Sequence, residues 1–283
     1  MNNSPFYNPN VKIKSIVSVC IVSMLLYMEY IFHINFFILT VILIGVSYIS
    51  SLWIINFKIS LLGMLSYISF IFIFVFSFSF FMFKVFLYIF PTEWFQPGLF
   101  NPGLLFYLMV ILLSIIFVIF LYSSFLNLSI IDASYIENVP LAQFSYTLNY
   151  VISLFVSYLF FLFILSNRVG IIFSLLIMFL GVSVLCAQFM WNLIYESRDI
   201  MRYSLIIAFI ISTFYLISLF IPQSFFITAL FLAVIIFIYD GIIIHYKKSH
   251  LSQGILLEYT VIFAIVFVLF ILLPEWGIAG GIL

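Results

Sequence analysis

Six charged residues late in the sequence have the types and spacing that could do chemistry. They are Glu196, Arg198, Asp199, Arg202, Asp240 and Glu258. On a helix, Arg198 and Arg202 would share one side, because residues four positions apart are neighbours. Guanidinium groups bind phosphate through paired hydrogen bonds, and a nearby carboxylate can serve as a general acid or base. The group could therefore hold a lipid headgroup or a phosphorylated substrate. We favour the simpler interpretation, a solvated set of ion pairs that closes two loops.

Two of these carboxylates fall inside apolar stretches. Asp240 lies near the end of one stretch and Glu258 near the start of the next. Ionisable side chains in a membrane are functional candidates by default, because their cost must be offset by pairing or by water. Each of the two is close enough to an end to reach the interface. We expect that they could share a proton, or that Asp240 could pair with Lys247.

The polar side chains deeper in the apolar stretches are neutral. They are Asn149, Gln188 and Asn192. Gln188 and Asn192 are four residues apart and point the same way on a helix, so they could line a polar passage. Amides also hydrogen-bond across helices and fix a bundle, and the small Gly181 lets another backbone approach. We favour packing for these residues.

No known catalytic signature is present in the sequence. It lacks a phosphate-binding Gly-rich loop with Lys, a G-x-S-x-G elbow and an H-E-x-x-H motif. ATP-driven transport by this chain alone is thereby excluded. His245 and His250 are five residues apart and do not share a helix face, and Cys20 and Cys186 lie in apolar runs without spaced partner ligands. The sequence therefore predicts neither a metal site nor a cofactor.

Composition limits the elements that can position these residues. Of the 283 residues, 67% are hydrophobic and only 6% are charged, against roughly a quarter charged in ordinary soluble domains. A soluble fold is excluded. The net charge of zero gives no field that attracts nucleic acid, so the expected partner is the lipid bilayer. The 39 Phe residues are what AT-rich codons would supply, and we do not interpret them as an aromatic binding surface.

Nine stretches are long and apolar enough to cross a bilayer as helices, which takes roughly 20 residues each. The sequence therefore predicts an all-α, polytopic membrane bundle of eight to nine spans, a single transmembrane domain over residues 1–283 without a soluble domain. Very short connections make several neighbouring spans antiparallel hairpins. The predicted spans cover 15–32, 36–55, 59–83, 104–126, 146–166, 169–191, 203–221, 225–244 and 255–273.

Orientation follows from the basic residues beside the spans, which stay on the cytoplasmic side during insertion. With the N-terminus in the cytoplasm, only Lys84 and Arg168 fall outside, and seven other basic residues fall inside. Nine spans then place the C-terminus outside. The seven are Lys12, Lys14, Lys58, Arg198, Arg202, Lys247 and Lys248.

Taken together, these features predict a multi-spanning protein of the plasma (inner) membrane without catalytic activity of its own. It would be a scaffold-like subunit that contacts other membrane subunits, or a structural protein that contacts lipid. Two alternatives remain open. One is a permease or channel for a small solute, with Asn149, Gln188 and Asn192 along its path. The other is an enzyme that acts on a lipid-linked phosphate at the cytoplasmic face.

Overall fold

Apolar runs of this length fold as helices because an unpaired backbone N–H or C=O is costly in hydrocarbon, and a helix pairs these groups within one segment. The computed structural model describes residues 9–32, 36–54, 61–82, 110–125, 141–167, 170–191, 197–247 and 252–273. This part of the chain contains nine helices. They are α1 (Pro9–Phe32), α2 (Phe36–Ile54), α3 (Leu61–Phe80), α4 (Val110–Phe125), α5 (Leu141–Ser166), α6 (Ile171–Trp191), α7 (Ser197–Ser218), α8 (Phe225–Lys247) and α9 (Gln253–Leu272).

The prediction of an all-helical chain is confirmed for the described residues, where each helix overlaps one predicted span. Five stretches, within α5 to α9, are long and apolar enough to cross a membrane. The helices extend beyond the apolar runs: α5 and α7 begin several residues before the predicted spans. Helical hydrogen bonding continues into polar flanks, because it does not depend on the hydrocarbon boundary.

Serine hydroxyls inside the helices bond to their own backbone. Ser47 and Ser51 in α2 and Ser114 in α4 each donate to the carbonyl four residues earlier, at 2.7 Å. Such a bond satisfies the hydroxyl without water or a second helix. The serines of these helices can therefore lie in an apolar environment at little cost.

The chain divides into two compact units, and the boundary between Ile152 and Ser153 lies inside α5. In the first unit, α2 packs against both α1 and α3. Lys14 near the start of α1 donates to the Trp53 carbonyl near the end of α2, at 3.1 Å. Its ammonium also lies 5.4 Å from the centre of the Trp53 ring. The first two helices are therefore antiparallel, as their short connection predicts.

Phenylalanine fills the interior of the first unit. Phe74 and Phe78 of α3 and Phe117 of α4 are fully buried. The Phe117 ring lies 4.4 Å from that of Phe78 and 5.4 Å from that of Phe74, measured between ring centres. Aromatic contacts of this kind add to the packing of a core. These rings serve packing, in agreement with the interpretation that the Phe content is not a binding surface.

In the second unit, α8 lies between the other helices. It packs against α6, α7 and α9, and α6 also packs closely against α7. The Phe231 ring of α8 stacks on Phe270 of α9 with 4.3 Å between ring centres, and meets Phe214 of α7 edge-on at 6.0 Å. Side chains near the C-terminal end of α8 consequently face three neighbouring helices.

Candidate functional site

Asp240 lies inside the second unit, with only 2% of its surface exposed. The fully buried thiol of Cys186 on α6 shares a side-chain hydrogen bond with its carboxyl group. Among the described residues, the Asp240 Oδ1 atom has no hydrogen-bond partner. A buried carboxyl beside a buried thiol is the most polar contact in the interior of this unit.

Asp240 lies seven residues before Lys247, the last residue of α8, which is about 10 Å along the helix axis. Its carboxyl group meets Cys186 of α6 inside the second unit. The expectation that Asp240 lies close enough to the end of its span to reach the interface stays a prediction.

Lys247 pairs with Asp199, at the start of α7, and not with Asp240. The ammonium of Lys247 also lies 5.5 Å from the centre of the Tyr203 ring. The side chains of Lys247 and Asp199 are 33% and 16% exposed, and an ion pair this close to solvent adds little to stability. Its main effect is to hold the end of α8 beside the start of α7.

A close contact joins α8 to α9 one residue after Asp240. A Cβ atom at Gly241 would overlap the hydroxyl of Tyr259, so the absence of a side chain lets this tyrosine pack against α8. The Tyr259 ring also lies 6.3 Å from the rings of Phe237 and His245. Glycine at position 241 is thus required by the fit of the two helices.

Three further described members of the predicted charged group lie on the surface. Arg198 and Arg202 of α7 and Glu258 of α9 are exposed. Glu196 lies outside the described residues. The structure therefore divides the group: Asp240 faces the interior, Asp199 belongs to an ion pair, and the two guanidiniums and the Glu258 carboxylate are exposed. No described contact joins Asp240 to Glu258.

The neutral polar residues are buried where the structure describes them. Asn149 of α5 is 3% exposed and belongs to the first unit, and Gln188 of α6 is fully buried in the second. Asn192 lies outside the described residues. Both described amides are engaged in interactions within the protein. Burial of these amides does not distinguish packing from a polar passage, and the packing role stays a prediction.

Gly181 allows a close approach, but of a different kind from the one expected. The Phe160 ring of α5 lies against it, and a Cβ atom at this position would be 2.7 Å from the Phe160 Cε1 atom. The sequence predicted an approaching backbone, whereas the structure has a side chain there. Helices α5 and α6 pack through an aromatic ring seated on a glycine.

Two residues of the site were not predicted from the sequence, namely Cys186 and Tyr259. A signal for Cys186 was present: it lies five residues before the end of α6, and Asp240 lies seven before the end of α8. If both helices end on the same side of the membrane, the two side chains lie at similar depth. Depth alone does not give the helix faces, so the contact could not be derived.

The chemistry available at this site is proton binding and hydrogen bonding. Within the described ranges, no three side chains among His, Cys, Asp and Glu come together as a metal would require. Comparisons of the chain with protein-family models, with curated proteins and with solved structures give no match.

Proposed function

We propose that this chain is a non-catalytic subunit of a membrane assembly in the plasma (inner) membrane. In this proposal all nine helices span the bilayer, with the N-terminus in the cytoplasm and the C-terminus outside. The observation that carries the proposal is the exposure of α9. Of its 20 residues, Phe270 is the only buried one. The contacts of α9 within the described chain are made mainly with α8.

Exposed apolar surface is ordinary in lipid, and what distinguishes α9 is Glu258. This carboxylate is exposed and lies five residues inside the helix, about 8 Å from Gln253 along the axis. So near the start of the span, this carboxylate can be hydrated at the interface, and its exposure on α9 also makes it available to a neighbouring helix. A membrane helix with a basic or hydrogen-bond-donating side chain would pair with it. We therefore propose a transmembrane helix of another polypeptide as the neighbour of α9.

Site-specific photocrosslinking in native membranes tests this proposal. A photoreactive residue at the exposed Val261 or Ile265 should give a discrete protein adduct, identified by mass spectrometry as one membrane polypeptide. The yield should fall severalfold in the Glu258→Gln variant, because the carboxylate contributes to recognition. The same photoreactive residue at the buried Phe270 should give no intermolecular adduct.

Lipid adducts alone at the exposed positions would contradict the proposal. So would a protein adduct whose yield is unaffected by Glu258→Gln, because then the carboxylate has no role in the contact. The Arg202→Gln variant provides a matched control, since it removes another exposed charge but on α7.

A small-solute permease is the second candidate, and the buried Asp240 carboxyl and Gln188 amide favour it. Polar groups inside a membrane bundle can line a path for a solute. In proteoliposomes, Gln188→Leu should abolish uptake of the transported solute while the protein remains folded. The enzyme alternative has less support. Asp199 is engaged by Lys247 and Asp240 is turned away from the surface, which leaves Glu258 as the exposed carboxylate among the described members of the group.

A further inference from the structure

We propose that Asp240, with Cys186 as its hydrogen-bond partner, forms a proton-binding site in the interior of the second unit. This proposal does not depend on whether the chain is a subunit or a permease. It rests on the position of one carboxyl group and on the groups that surround it.

The surroundings of Asp240 disfavour a negative charge on its carboxyl group. Asp240 is 2% exposed, its Oδ1 atom has no partner among the described residues, and its hydrogen bond comes from a neutral thiol. A thiol is a weak donor and compensates little of a full negative charge. An ionised carboxylate here would be an uncompensated charge in the interior of the unit, at a cost of several kcal/mol. The site therefore requires a positively charged ligand.

Among the residues that the structure describes, no basic side chain is placed to supply that charge. The nearest described cation along α8 is Lys247, two turns away and already paired with Asp199. The titratable and charged groups on α8 and on the helices packed against it are Cys186 from α6; Arg198, Asp199, Arg202, Tyr203 and Tyr215 from α7; Glu258 and Tyr259 from α9; and Tyr239, His245, Tyr246 and Lys247 on α8 itself. The arginines of α7 are exposed at its first two turns, and the group that contacts Asp240 is the thiol of Cys186.

The positively charged ligand that fits Asp240 is a proton. Magnesium and calcium ions require about six oxygen ligands, whereas the described partner of Asp240 is a single sulfur atom. A proton needs only one carboxylate oxygen and leaves the other to accept the hydrogen bond from Cys186. The geometry thus fits a proton and does not fit a metal cation.

The neighbours of Asp240 also include groups that exchange protons. Tyr259 packs against Gly241, the next residue, and its ring lies 6.3 Å from that of His245, one turn closer to the helix end. Phenol and imidazole groups donate and accept protons, and histidine is a common proton shuttle. These two side chains therefore supply proton-exchanging groups beside the segment of α8 that carries Asp240.

Infrared difference spectroscopy of the full-length protein in lipid nanodiscs tests the proposal. The Cys20→Ser background leaves Cys186 as the single thiol, because the chain has two cysteines. At neutral pH we expect a carboxylic-acid carbonyl band with the intensity of one group, which shifts in D2O and disappears reversibly as the pH is raised. The S–H band of Cys186 should move over the same pH range.

Variants identify the group responsible. Asp240→Asn should remove the band and the pH dependence of the S–H signal, whereas Glu258→Gln, which changes the exposed carboxylate of α9, should leave both intact. If Asp240→Asn does not fold, Cys186→Ala serves instead, since it should shift the carbonyl band without removing it. The proposal is overturned if no carbonyl band depends on Asp240 or Cys186. It is equally overturned if the band persists unchanged to the highest pH at which the protein stays folded.

Discussion

Single residues set how closely these helices approach, and the glycines demonstrate it. Around Gly181 and Gly241 a neighbouring aromatic side chain occupies the space that a Cβ atom would take. Around Gly45 of α2, no atom of another described segment lies within 4 Å of that space. The same residue type therefore has a packing role at two positions and none at the third. Substitutions at Gly181 and Gly241 should therefore destabilise the protein, whereas a substitution at Gly45 should not.

We expect Gly181→Leu to destabilise the protein by about 1–3 kcal/mol, because the new side chain must displace the Phe160 ring from a packed interior. Thermal unfolding in detergent, followed by size-exclusion chromatography, measures the loss. Gly45→Leu is the control: it adds a good helix former in open space and should leave the unfolding temperature unchanged or slightly higher.

Shortening the opposing side chain gives a second check on this contact. Phe160→Leu combined with Gly181→Leu should recover part of the lost stability, since the two positions compete for one space. If the double variant is no more stable than Gly181→Leu, the ring of Phe160 is not what the leucine displaces.

Helices α7, α8 and α9 make different kinds of contact, and each contact has its own sensitivity. The ends of α7 and α8 are joined by the partly exposed ion pair of Asp199 and Lys247. Helices α8 and α9 are joined by aromatic packing and by a hydrogen bond from Gln223 to the Phe270 carbonyl. Salt should therefore affect the first contact, whereas steric changes should affect the second.

Asp199→Lys should lower the unfolding temperature slightly in low salt, because it places two ammonium groups together. Adding Lys247→Asp restores the pair with its charges exchanged and should recover the stability. In about 1 M salt the difference between the single and double variants should shrink, since the Debye length falls to about 3 Å. A deficit that stays constant with salt would assign the effect to packing instead of charge.

Gly241→Leu should release the first turns of α9, because Tyr259 can no longer pack against α8. Hydrogen–deuterium exchange of residues 253–259 should become about tenfold faster, the equivalent of about 1–2 kcal/mol. Gly254→Leu is the matched control on α9, where a Cβ atom would meet only the Ser252 Oγ atom at 3.8 Å. Equal acceleration in both variants would show that α9 responds to any added bulk.

At the scale of the whole molecule, the distribution of basic residues predicts the topology. A C-terminal alkaline phosphatase fusion should be active and a C-terminal green fluorescent protein fusion dark, since the last predicted span ends outside. Green fluorescent protein inserted after Lys247 should fluoresce, because this connection is predicted to be cytoplasmic. The reverse pattern would invert every assignment of side in the chain.

The positions of the helices could be predicted from the sequence, because length and apolarity suffice for a segment that must satisfy its backbone in lipid. Their packed faces could not. In a soluble helix, an apolar stripe marks the buried side, whereas here nearly every side is apolar and the core resembles the lipid-facing surface. Exposed Ile172 and buried Met178 in α6 are of the same apolar character.

Because the sequence does not show which face of each helix is packed, it also could not show which residues of the candidate site pair. The charged residues near the ends of α7, α8 and α9 were identifiable by type, but their partners depend on helix rotation. The sequence allows Lys247 to pair with either Asp199 or Asp240, and only the packing of α7 against α8 decides between them. Cys186 could not be identified from the sequence as a partner of Asp240, because a thiol in an apolar run resembles any other small apolar residue.

The placement of α9 on α8 has a consequence for how the protein is made. The contacts of Asp240 with Cys186 and of Lys247 with Asp199 join helices that precede α9 in the chain and emerge from the ribosome before it. These contacts can form before α9 enters the membrane, so the polar groups of α6, α7 and α8 need not wait for α9 to find partners. Helix α9 then docks last, against a surface that is already assembled.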